Sequence, residues 1–125
     1  MYSAAVLDHF KNPRNAGELT DATATAEVSN PVCGDVMRLA VRVADGRITE
    51  ARFQTRGCVT SIACASILTE MMAGKTFDEV RRITHAQISD ALGGLPPATM
   101  HGSQLAGDAL GAVLAKIGPG SPQSR

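Results

Sequence analysis

Three cysteines (Cys33, Cys58, Cys64) and three histidines (His9, His85, His101) are the side chains of this 125-residue sequence best suited to binding soft metals or to nucleophilic chemistry. An odd number of thiols behind no export signal favours free thiols, metal ligands or a nucleophile over a disulfide framework. Cys33 falls in a turn between two expected strands, Cys58 where a strand gives way to a helix, and His101 at the start of the last helix, so the three sit at junctions that can converge. A helix N-terminus carries about half a positive charge, which suits a thiolate ligand at Cys58. Cys64 follows six residues later, and at ~100° and ~1.5 Å per residue that is about 120° around the helix and about 9 Å along it. It cannot share one metal with Cys58, and its row with Leu68 and Met72 places it in the core. His85 lies in the first turn of a capped helix and reads as solvated, and His9 reads as a packing residue. No Gly-rich phosphate loop, Ser/His/Asp arrangement or paired-carboxylate site is present. A Cys58 nucleophile with His101 as base is the one enzymatic arrangement available, and the chain reads better as a binding protein than as an enzyme.

The elements that must position these residues follow from periodicity. A first helix from about Ser3 to Lys11, with Val6, Leu7 and Phe10 on one face, stops before Pro13. Ala24, Ala26 and Val28 alternate with polar residues as a half-buried strand, and Met37, Leu39, Val41 and Val43 form the apolar face of a second. Asp45-Gly46 supplies a tight hairpin turn, and Arg47 to Thr55 returns as an antiparallel partner whose parity slip predicts a β-bulge near Thr49 and Glu50. After Cys58 the period becomes helical, with Val59, Ala63, Ile67 and Met71 in one buried row. Thr76 and Thr84, each followed three residues later by Glu79 or Gln87, read as capping boxes opening two short helices. Leu95-Pro96-Pro97 reads as extended, and a last helix runs from about Ser103 to Ile117 with Ala106, Leu110, Val113 and Ile117 on one stripe. The fold class is α+β: a three-stranded antiparallel sheet packed with helices, one domain over residues 1–117, and a Gly-, Pro- and Ser-rich tail at 118–125 that reads as disordered.

Composition narrows the partners. The 12 basic and 12 acidic side chains cancel, and aromatic residues make up 3% with no Trp, so neither a phosphate-seeking stripe nor a base-stacking platform exists and nucleic acid is excluded. The polar, amphipathic start and the lack of a long apolar run imply a cytoplasmic protein with no membrane partner.

Several strings in the sequence are unusual in combination: Asp8-His9-Phe10 with Asn12-Pro13-Arg14-Asn15, then Asn30-Pro31-Val32-Cys33-Gly34-Asp35, Gly57-Cys58, Gly74-Lys75, Leu95-Pro96-Pro97 and His101. In order and spacing they resemble the U-type iron–sulfur cluster scaffold family, comprising IscU and the N-terminal domain of NifU. The resemblance covers Tyr2 to Ile117 and implies a surface pocket in which a [2Fe-2S] cluster is assembled and handed on. It implies as pocket residues Cys33, Asp35, Cys58 and His101, with a cysteine desulfurase as sulfur donor and apoproteins as acceptors. Two departures matter. The family's third cysteine, its sulfur-accepting thiol, maps to Gly102, and the chaperone-recognition string that continues with Val-Lys after the prolines reads Ala98-Thr99 here, which weakens chaperone docking.

Two thiolates, an imidazole and a carboxylate can hold a [2Fe-2S] cluster or iron, and can equally close tetrahedrally on zinc. The alternatives are thus a zinc-binding member of the family without assembly activity, or an interaction module with a relict site. Asp35 has a plainer alternative too, as the cap of its own turn.

Overall fold

The computed structural model describes residues 2–31 and 34–117, so the tail expected at 118–125 lies outside the described residues. Ser3 opens α1 (Ala4–Lys11) by accepting the Val6 N–H, and the helix closes at Asn12, just before Pro13. β1 (Ala24–Ser29), β2 (Val36–Ala44) and β3 (Arg47–Arg56) form one antiparallel sheet in that order. Ala26 pairs with Leu39 and Leu39 with Phe53, so the apolar parity of all three strands falls on one face. Asp45 and Gly46 take φ values of 54° and 75°, the left-handed pair a two-residue hairpin needs. The register shifts once: Arg42 faces Glu50 but Val43 faces Ile48, leaving Thr49 as the extra residue, and its hydroxyl donates to the Arg42 carbonyl at 3.0 Å.

α2 (Val59–Met72) lies against β3, and α5 (His101–Ile117) lies against β1, β2 and α2. α1 packs on α2, and α4 (His85–Ala91) packs on α5 and α2. Between them α3 (Phe77–Val80) and α4 both open with the expected capping boxes, Thr76 with Glu79 and Thr84 with Gln87. Met37, Leu39 and Val41 of the sheet meet Leu68 and Met72 of α2 and Leu110 and Val113 of α5 in one buried core. Each such side chain contributes roughly 1.5–3 kcal/mol when removed from water, which fixes the helices to a single face of the sheet. Arg38 and Gln54, on the other face, are exposed.

Four local expectations are revised. On α1 the inward residues are Val6 and His9, while Leu7 and Phe10 are each 37% exposed. In α2 the expected row Val59, Ile67 and Met71 is only half-buried, and the polar Thr60, Ser61, Ser66 and Thr69 are buried instead. Pro96 is extended, at φ −57° and ψ 147°, but Pro97 begins a 3₁₀ turn through Thr99. That turn leads straight into α5, which therefore starts at His101 rather than Ser103.

Candidate functional site

The register of the sheet creates the site. Val36 pairs with Arg56, so the residues just beyond that pair, Asp35 and Gly57, lie side by side where β2 begins and β3 ends. Asp35 is held by a turn in which Gly34, at φ 78°, donates to the Asn30 carbonyl and Asn30 donates to the Asp35 carbonyl. Cys58 follows as the N-cap of α2, and α5 brings its first residue, His101, over the same corner.

Three side chains from three elements meet there. Cys58 Sγ lies 3.4 Å from His101 Nε2, and His101 Nε2 lies 3.7 Å from Asp35 Oδ2. One ligand atom from each of Asp35, Cys58 and His101 falls within 4.8 Å of the other two, close enough for the three to be candidates for one metal ion. Asp35 is 6% exposed, and Cys58 and His101 are half-buried, so the corner has a dry floor and an open mouth. Beside it runs an open groove lined by Ser29, Asn30, Pro31, His101, Gln104 and Asp108. Burial pushes the Asp35 carboxyl upward, but hydrogen bonds from the Ser61 hydroxyl and from Cys58, together with the nearby His101, outweigh it and hold the group below its ordinary value.

Of the residues expected in the pocket, Asp35, Cys58 and His101 are brought together, and Cys33 lies outside the described residues. Cys64 is fully buried in the core, and burial, with the neighbouring Cys58, pushes its thiol up to about 12. His85 is exposed on α4, and His9 sits between α1 and α2 with Nδ1 2.8 Å from the Ser66 hydroxyl. Of two further residues at the corner, Ser61 went unmarked in the sequence and Gly57 was noted only within the Gly57-Cys58 string. Ser61, fully buried, donates to Asp35 Oδ2 at 2.6 Å, and Gly57 lies directly against the Asp35 carboxylate. The signal for Ser61 was its position three residues after Cys58 on the first turn of a helix, which brings the two onto one face.

The family model described as NifU-like N-terminal domain matches residues 1–118. The chain belongs to this family. Its relatives include the Iron-sulfur cluster assembly scaffold protein IscU 1 of Archaeoglobus fulgidus, 52% identical over 110 residues that cover 88% of this chain and 72% of the relative. The Iron-sulfur cluster assembly scaffold protein IscU of Azotobacter vinelandii is 46% identical over 118 residues, covering 90% of this chain and 91% of that one. Among solved structures, the nitrogen-fixing NifU-like protein (N-terminal) from Brucella abortus superposes with a TM-score of 0.75 over 94% of each chain at 19% identity, a likeness of fold.

Within this NifU-like domain, Gly102 is a packing residue. It is buried at the second position of α5, where a β-carbon would lie 2.9 Å from Thr60 Cγ2 and 3.2 Å from the Ser61 backbone nitrogen. The starts of α2 and α5 thus approach through a glycine, and Thr60 occupies the space a side chain at 102 would need.

Proposed function

We propose that this NifU-like domain is an iron–sulfur cluster assembly scaffold, holding iron or a [2Fe-2S] cluster through Asp35, Cys58 and His101, with Cys33 as a further thiolate, and releasing it to acceptor apoproteins. The cluster is cargo, so the protein acts by binding and release rather than by turnover and is not an enzyme. The observation that carries the reading is the convergence of a carboxylate, a thiol and an imidazole from three separate elements within 4.8 Å. The identity to IscU scaffolds supports the same reading.

Each donor has a distinct part. Thiolates are the soft ligands that favour iron–sulfur units, whereas a carboxylate is a hard and more readily exchanged ligand, so Asp35 is the position at which cargo can be loosened. Ligation needs Cys58 deprotonated and His101 neutral, so cargo binding releases protons through the open mouth beside His101. Because residue 102 carries no thiol, sulfane sulfur from a desulfurase persulfide would pass to one of the other thiolates by thiol exchange, with the desulfurase thiolate as leaving group, and a two-electron thiol reductant would then release it as sulfide. Chaperone docking is weakened by the Ala98-Thr99 departure after the prolines. The setting is the cytoplasm; among the described residues no helix is long and apolar enough to cross a membrane.

The test is anaerobic reconstitution with ferrous iron and sulfide, followed by iron and acid-labile sulfide analysis and by transfer to an apo-[2Fe-2S] ferredoxin. A bound cluster that moves to the ferredoxin is expected. Folded protein that takes up stoichiometric zinc but no iron or sulfide would instead favour the zinc-binding alternative.

A further inference from the structure

At the corner where Asp35, Cys58 and His101 meet, the polar atoms close into a ring with a fourth member. Ser61 Oγ lies 2.6 Å from Asp35 Oδ2; that oxygen lies 3.7 Å from His101 Nε2; the nitrogen lies 3.4 Å from Cys58 Sγ; and the sulfur lies 3.5 Å from Ser61 Oγ. Three corners are metal-ligating groups and the fourth is a hydroxyl with no exposed surface. We propose that Ser61 is the positioning residue of the site, holding the Asp35 carboxylate in the orientation from which it joins Cys58 and His101 around cargo.

The geometry argues for this over a hydroxyl that merely fills space. A serine carries one proton, and a 2.6 Å contact with a carboxylate oxygen is the short, charge-assisted kind that commits that proton to Asp35. Buried where water does not reach it, the hydroxyl has that carboxylate as its acceptor. The side-chain-free Gly57 leaves room for the carboxylate, which Cys58 also hydrogen-bonds, and Ser61 makes the short bond to Oδ2, the oxygen that faces His101. Groups that orient a ligand from outside the coordination sphere are typically worth roughly 10- to 100-fold in metal affinity.

This rests on Asp35, Cys58 and His101 being ligands, and the experiment separates the two claims. Co²⁺ is titrated anaerobically into wild type, Ser61→Ala, Asp35→Ala and the double variant, with circular dichroism as the check on folding. Ser61→Ala is expected to weaken Co²⁺ binding roughly 10- to 100-fold. In the Asp35→Ala background the same change is expected to cost less than about twofold, because a residue acting through another loses its effect once that other is gone. Ser61→Gly removes the same hydroxyl and gives the same pattern, so the result does not depend on one variant's packing. Equal losses in both backgrounds, or no loss in the presence of Asp35, overturn the positioning role and leave the ligand reading standing. Failure of the wild type to bind Co²⁺ overturns both.

Discussion

Gly57 lies so close to Asp35 that a β-carbon added to it would fall 2.5 Å from the Asp35 Cγ and 2.8 Å from both carboxylate oxygens. The backbone of Gly57 is not in the left-handed region, so the glycine is required there by space alone. The carboxylate is the group that must give way, and its movement breaks the Ser61 hydrogen bond. Gly57→Ala is expected to cost about 1–3 kcal/mol of stability in urea unfolding, and to weaken Zn²⁺ or Co²⁺ binding at least about tenfold. Unchanged affinity in a folded variant would show that Asp35 does not need this seat.

A thiol side chain at residue 102 meets a steric obstacle. Thr60 Cγ2 stands 2.9 Å from where the β-carbon of residue 102 would be. Gly102→Cys alone should therefore lose about 1–3 kcal/mol by overpacking. Combining it with Thr60→Ala should recover part of that, since the methyl in the way is removed together with a buried hydroxyl that has no partner among the described residues. Thermal melts of the two singles and the double give the coupling, and strictly additive losses would argue against the contact.

The described thiols should differ in reactivity. Cys64 is buried with its thiol pushed up to about 12, whereas Cys58 is half-buried at an open corner. Iodoacetamide at pH 8 should modify Cys58 in the native protein and Cys64 only after denaturant is added, as read by peptide mass spectrometry. Native modification of Cys64 would show that α2 opens more readily than its packing suggests.

His9 makes stability depend on pH. Desolvation, then the Arg14 charge, pushes its imidazole below the ordinary value of about 6.5. Its Nε2 faces the Glu70 carboxylate at 3.6 Å and its Nδ1 lies 2.8 Å from the Ser66 hydroxyl, whose oxygen also receives the Arg14 N–H. The folded state holds this imidazole neutral, so below about pH 6.5 the unfolded chain binds the extra proton first. Stability is complete above that pH and falls as pH drops toward the lowered folded value. The melting temperature should decline between pH 7.5 and 5.5, and His9→Gln should flatten that decline; an unchanged slope would place the titrating group elsewhere.

Much of this was legible in the sequence, because alternation, the Asp45-Gly46 turn and the two capping boxes are local signals that tertiary packing did not override. The junction positions of Cys58 and His101 anticipated their meeting, whereas Asp35 was implied only by the family resemblance and Cys33, expected beside them, lies outside the described residues. What was missed depended on partners distant in the chain. Leu7 and Phe10 look like the buried side of α1 until Ser66 and Glu70 of α2 offer His9 its partners, turning the helix the other way. The buried hydroxyls of α2 break its apolar rows for the same reason, with Ser61 bonded to Asp35 and Ser66 to Arg14. Pro97 enters a 3₁₀ turn because Thr99 can bond back to the Pro96 carbonyl, which no pair of prolines announces.

A carboxylate, a sulfur and an imidazole are expected to reach the same ion at this corner, and X-ray absorption of the zinc-loaded protein reads that sphere directly. Wild type should show sulfur at about 2.3 Å together with nitrogen or oxygen at about 2.0 Å. Imidazole scattering should vanish in His101→Ala, and the sulfur contribution should shrink in Cys58→Ser. A coordination shell that neither substitution alters would contradict the site.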